Sequence, residues 1–121
     1  MRQVRTNTPL HALNLLNDET YVEAARELAT LAIQETEPVD DRIRLIVRTV
    51  LSREPNEEEM LVLRAQLRAV SKVFAKDERA AEAMLRIGQS PRPRGISAKE
   101  LAGYTTIASS ILNLDEAITR E

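Results

Sequence analysis

Apolar residues recur along this chain at intervals of three and four, and nowhere do they alternate with polar ones over a useful length. The first spacing lines one face of an α-helix; alternation would line one face of a strand. The β-branched residues fall at the helical spacing too. The chain is therefore predicted to be all-α, a compact bundle of about six helices of unequal length. Its 121 residues are most simply one domain spanning 1–121. A chain of that size buries roughly two-thirds of its unfolded surface, enough for a core without staples. Tyr21, Phe74 and Tyr104 are its only aromatic residues, so that single core must be aliphatic.

The start and stop signals divide the chain in order. Thr8-Pro9 opens a short first helix, with Leu10, Leu13 and Leu16 on one face and Asn17 as a left-handed stop. Asp18 caps the second, whose face is Val22, Ala25, Leu28, Ala29, Ala32 and Ile33, ending near Gln34 or Glu35. The alanines keep that face thin, which suits close approach of a neighbour. After Glu37-Pro38-Val39, Asp40 is predicted to cap a third helix that buries Ile43, Ile46, Val47, Val50 and Leu51.

Asn56 and Glu59 have the spacing of a capping box and open the fourth helix. Its seam of Met60, Leu63, Leu67, Val70 and Phe74 is read as an intrachain packing face, with a homodimer seam as the alternative, and this helix is predicted to be the longest. Asp77 begins a shorter fifth helix through Ala80, Ala81, Met84 and Leu85, stopped by Gly88. Gln89 to Gly95 reads as an extended, polyproline-like linker. Ser97 and Glu100 form a second capping box, with Ile96 and Leu101 as its hydrophobic staple. The sixth helix then buries Leu101, Tyr104, Thr105, Ala108, Ile111 and Leu112.

Three stretches carry a family resemblance. The run Arg5–Ala29, the run Leu51–Glu59 and the closing Ile111–Glu116 fall in one order and span nearly the whole chain. Together they resemble the planctomycete-type domain of unknown function found near the C-terminus of large secreted proteins, which often carry a cytochrome-c-like segment upstream. The family pattern usually has Gln where His11 stands. Because members are normally several times longer, the resemblance implies that this chain is the C-terminal portion of such an architecture. It supplies a fold and a context but no mechanism. The compartment follows the same fork: cytoplasmic if Met1 is the native start, periplasmic or secreted if the chain is excised from a longer relative.

Composition removes several classes of function. The chain has no cysteine, and with it go disulfides, thiolate nucleophiles, iron–sulfur clusters and covalent haem attachment. Three glycines leave little material for a phosphate-cradling loop, and no P-loop or other nucleotide or hydrolase signature occurs. A net charge of −2 gives no global pull toward nucleic acid or an anionic membrane. No apolar run approaches the ~20 residues of a membrane span. Met1–Arg5 lacks the apolar stretch of a signal peptide behind it. No cofactor is expected.

The remaining candidates each have a plain structural explanation. His11 is the only histidine, with neither an H-x-x-x-H nor an E-x-x-H spacing, and is read as structural or superficial. Glu23 and Glu27, with Arg26 beside them, are read as a solvated helix face. Arg64, Arg68, Lys72 and Lys76 repeat every four residues, which costs a few tenths of a kcal/mol per like-charged pair. The helix dipole and acidic neighbours on adjacent helices are the expected compensation. An anion-binding stripe, extended by Arg92 and Arg94, is the functional alternative. Asn17-Asp18 and Asn113…Asp115 echo one another and read as two stop-and-recap signals; the sharper alternative is that the two ends pack together.

These readings converge on a non-catalytic helical interaction module that docks to a protein partner or to upstream domains of its own architecture. A second possibility is an enzyme fragment in which Asn14, Asn17 and Asp115 complete a site formed by other sequence. A third is weak anion or nucleic-acid binding through the basic stripe, which the lack of aromatics and of a helix-turn-helix signature argues against.

Overall fold

A computed structural model of the chain describes residues 19–86 and 95–120, with side chains described within 22–86 and 95–114. The described residues are all-helical. In chain order they form α1 (Glu19–Glu35), α2 (Val39–Leu51), α3 (Glu57–Lys76), α4 (Glu78–Arg86) and α5 (Ala98–Arg120). These are the second to sixth helices expected from the sequence. The short helix expected after Pro9, the Asp18 cap, His11 and most of the 89–95 linker lie outside the described residues. At the edge of that linker, Gly95 adopts φ +84, a left-handed conformation that costs glycine nothing.

α5 is the hub. It packs against α1, α2, α3 and α4, and its pairing with α1 is the most extensive in the fold. Such a helix must be apolar or small on every side. From Leu101 to Leu114 there is no charged residue. Leu101, Ala102, Tyr104, Thr105, Ile107, Ala108, Ser109 and Ile111 are all buried, several of them completely. The expected face was thus too narrow: Ala102, Ile107 and Ser109 lie beside it and are buried as well. On α1 the predicted thin stripe is the contact surface, with Val22, Ala25, Ala29 and Ala32 fully buried. Met60, Leu67 and Phe74 of α3 join the same core, while Leu63 and Val70 pack half-buried around it. The α3 seam is therefore used within the chain.

Among the described residues two charged side chains are buried, Arg26 of α1 and Arg42 of α2. Every polar end of the Arg42 side chain is engaged. Nε donates to the Thr36 carbonyl at 2.7 Å and Nη2 to the Ile33 carbonyl at 3.2 Å, the free acceptors of the last turn of α1. Nη1 donates to the Glu100 carboxylate at 2.9 Å, and the guanidinium stands 5.4 Å from the centroid of the Tyr104 ring. Burial alone would lower the Arg42 pKa; Tyr104 and Glu100 outweigh it and raise it. Arg42 thus closes the end of α1 onto the first turn of α5.

Several local expectations need correction. The residue preceding α2 is Pro38, with extended backbone and no side-chain cap. Asp40 lies inside the first turn, where its carboxylate receives Arg64 instead of an amide. The longest described helix is α5 at 23 residues, against 20 for α3. Asn113 is not a stop, since α5 continues unbroken to Arg120. No glycine or proline follows it, and one asparagine in a helix interior costs less than a single Gly. Arg26 is only 4% exposed and Glu23 is half-buried, each engaged by another group, so of the expected solvated face only Glu27 is exposed.

Candidate functional site

The corner between α2 and α3 is closely specified by its own residues. Ser52 takes a left-handed conformation (φ 60, ψ 32), and its amide donates to the Arg48 carbonyl, which ends α2. Asn56 and Glu59 then form the complete capping box: the Asn56 side chain accepts from the Glu59 amide at 2.8 Å, and the Glu59 carboxylate accepts from the Asn56 amide at 2.9 Å. Arg53 grips the same carboxylate through two nitrogens at 2.9 and 2.7 Å. Arg53 and the Asn56 amide together hold the Glu59 pKa down to about 2.

Beyond that corner, two polar links set how the helices stand. Arg64 forks onto Asp40 at 2.7 and 3.0 Å, tying α3 to α2. This pairing depresses the Asp40 pKa and raises that of Arg64. Gln66 donates to the Ser110 hydroxyl at 2.6 Å, fixing α3 along α5.

Held this way, α2, α3 and α5 leave a groove of about 290 Å³ between them. Val47 and Leu51 form one wall, Val62 and Leu63 another, and Ile111 and Leu114 the floor and far rim. Its polar lining is limited to Glu58, Glu59 and Ser110. Glu59 and Ser110 already have partners, whereas Glu58 is exposed at the mouth. Two rim residues face water to an unusual extent: Val62 is 65% and Leu114 is 43% exposed. A second, more open depression of about 570 Å³ lies among α1, α2 and α5, bordered by Leu28, Leu31 and Val50.

The chemistry of the groove is that of apolar side chains with two carboxylates, Glu58 and Glu59, in the lining. Its hydroxyl, Ser110, accepts from Gln66, and its Glu59 carboxylate is held by Arg53 and the Asn56 amide; no cluster of three metal-ligating residues occurs among the described residues. No described helix is long and apolar enough to cross a membrane.

The residues singled out from the sequence are scattered relative to this groove. Arg64 belongs to the Asp40 pair, so the acidic neighbour expected for the basic stripe is present at that position. Arg68 and Lys72 are exposed on the outer side of α3, with no ion pair among the described residues. Asn113 is half-buried in α5, and Asp115 lies in the same helix beyond the described side chains. Asn14, Asn17 and Asp18 lie outside the described residues, as does the contact proposed between Asn17 and Asn113. Sequence reasoning missed the groove, although two of its rim residues were visible as apolar residues off the seam: Val62 and Leu114.

Comparison with known proteins places the chain. No curated protein and no solved structure matches it. The PSD1 family model, described as "Protein of unknown function (DUF1553)", matches residues 1–67, which cover α1, α2, their corner with α3 and the first half of α3. More than half of the sequence is matched, in the region where the Arg5–Ala29 and Leu51–Glu59 motifs stand, and the chain belongs to the PSD1 family.

Proposed function

We propose that this chain is a non-catalytic helical docking module whose groove among α2, α3 and α5 receives an apolar segment of a partner polypeptide. The partner is another protein or another part of a larger protein of this family. The observation that carries the reading is the groove itself: apolar walls on three helices, a rim of exposed Val62 and Leu114, and no catalytic arrangement along it. Apolar surface left open beside a well-packed core is characteristic of a recognition site. Glu58 at the mouth favours a segment whose leucine- or valine-type anchors are flanked by lysine or arginine.

A leucine-rich helical peptide with lysine at its ends, titrated into the isotope-labelled chain, tests this directly. Methyl shifts should concentrate at Val47, Val62, Ile111 and Leu114, and Leu114→Asp should abolish them. Shifts spread over the whole surface, or unaffected by Leu114→Asp, would overturn the reading.

A further inference from the structure

The helices packed on α5 leave one of its sides to a further neighbour. Gly103 and Ser110 face Leu67 and Gln66 of α3, Thr106 faces Met84 of α4, and Tyr104 faces Arg42 of α2. Leu112 borders the depression shared with α1 and α2. At about 100° per residue, the widest sector between these directions lies between α1 and α4. Ser109 stands at its centre, with Ala102 and Asn113 toward α4. Among the described residues α1 and α4 share no extensive contact across it. Yet Ala102 is 0% and Ser109 is 1% exposed, and Asn113 is half-buried. A helix side between two separated neighbours is that dry only under more chain.

The α1 wall of this slot carries the same sign. Ala24, Glu27, Leu28 and Leu31 lie on the side of α1 that borders α2. Glu23 and Arg26 lie on the opposite flank, toward the slot. Arg26 is only 4% exposed and Glu23 is half-buried, each engaged by another group. Both belong to the first half of α1.

Position decides which piece of chain can reach them. Arg42 joins the last turn of α1 to the first turn of α5, so the two run antiparallel, and α1 begins beside the Ser109–Leu114 end of α5. Only Asn17 and Asp18 separate Leu16 from Glu19, which keeps the leucine segment at this end. As a helix folded back along α1, residues 9–16 span about 12 Å, the distance from Glu19 to about Arg26. The family match runs unbroken from residue 1 through α1 and α2, so the segment belongs to the same domain. Its leucines are large where the floor of the slot is small, as interdigitating helices require. The stretch 87–94, after α4, offers one large aliphatic side chain, Ile87.

We propose that residues 9–16 dock into the slot between α1 and α4, with Leu10 and Leu13 laid over Ser109 and Asn113. The two ends of the chain that echo one another, Asn17 and Asn113, then stand at one end of the bundle. This docking is independent of the groove among α2, α3 and α5, which opens on the other side of α5 at Ser110 and Leu114.

Because the chain has no cysteine, Ser109→Cys reports its own cover through the rate at which it reacts with a thiol reagent. In the otherwise native full chain it should react slowly. Adding Leu10→Asp or Leu13→Asp should speed the reaction at least about tenfold, whereas Ile87→Asp should leave it unchanged. Ala81→Cys, buried between α4 and the core, should stay slow beside the same leucine variants, which separates uncovering from unfolding. In the unaltered chain, nuclear Overhauser contacts should join the Leu10 and Leu13 methyls to Ser109 and Asn113. A Ser109→Cys thiol that reacts at once, one released by Ile87→Asp instead of the leucine variants, or leucine methyl contacts to Leu28 and Val50 in place of Ser109 would each overturn the proposal.

Discussion

The two long helices, α3 and α5, solve opposite problems. α5 is surrounded: four helices pack on it, and its alanines, serines and Gly103 let them come close on every side. α3 is packed on one side only, and its outer side mixes exposed Leu61, Val62 and Val73 with exposed Arg68 and Lys72. The difference teaches that apolar content alone does not mark a core helix. In α5 uncharged residues run unbroken from Leu101 to Leu114, and every side has a neighbour. In α3, Glu58, Arg68, Lys72 and Lys76 interrupt the outer side along its length, and none of the described residues covers Leu61 or Val73.

Substitutions should separate the two sharply. Ile107, completely buried in α5, should cost about 3 kcal/mol on replacement by alanine, whereas Leu61→Ala on the outer side of α3 should stay within about 0.5 kcal/mol. Urea unfolding at a concentration where the chain is monomeric measures both, and equal losses would dissolve the contrast. Next in size is Arg42→Met, expected to cost about 2 kcal/mol. It strips the donors from the Ile33 and Thr36 carbonyls and leaves Glu100, which is 40% exposed, to be rehydrated. A neutral result would show that the clasp between α1 and α5 is dispensable.

Gly103→Ala tests how tightly α3 and α5 approach. A β-carbon there would stand 3.4 Å from Leu67 Cδ1 and 3.7 Å from Ser71 Oγ, ordinary contacts with movable atoms. The better helix propensity should then win, raising stability by about 0.5 kcal/mol; Gly103→Leu should reverse the sign by pushing the helices apart. The smallest effect concerns acid. The Glu59 pKa is held at about 2 in the folded chain, below its ordinary 4.5, so its contribution is complete above pH 4.5 and fades as pH falls toward 2. Denaturation midpoints across that window should drop less for Glu59→Gln than for the native chain.

What was legible in the sequence was local. The Asn56–Glu59 box, the Ile96–Leu101 staple and the seam of α3 are made by residues within a few turns of one another. The first box and the seam formed as the spacing implied, and Ile96 and Leu101 are both buried; Ser97 accepts from the Glu100 amide, while the Glu100 carboxylate goes to Arg42. The misread features depend on distant residues. Asp40 has the composition of a cap but is claimed by Arg64, 24 positions away, and Arg42 meets Glu100 across 58. Periodicity ranks the faces of one helix and is silent about how many neighbours will cover them, so it assigns α5 one face where the fold uses several. The absence of charge from Leu101 to Leu114 was the available signal. The groove was harder still, because an open apolar rim and a buried apolar wall use the same residue types.

The order of the chain adds a burden during synthesis. α5 leaves the ribosome after all four helices that rest on it, so Ala25, Ala29 and Ile46 wait for Leu101 and Ile107 to emerge. At about 5–20 residues per second, that wait lasts several seconds. For that interval the nascent polypeptide carries interior residues of α1 and α2 that α5 has yet to cover.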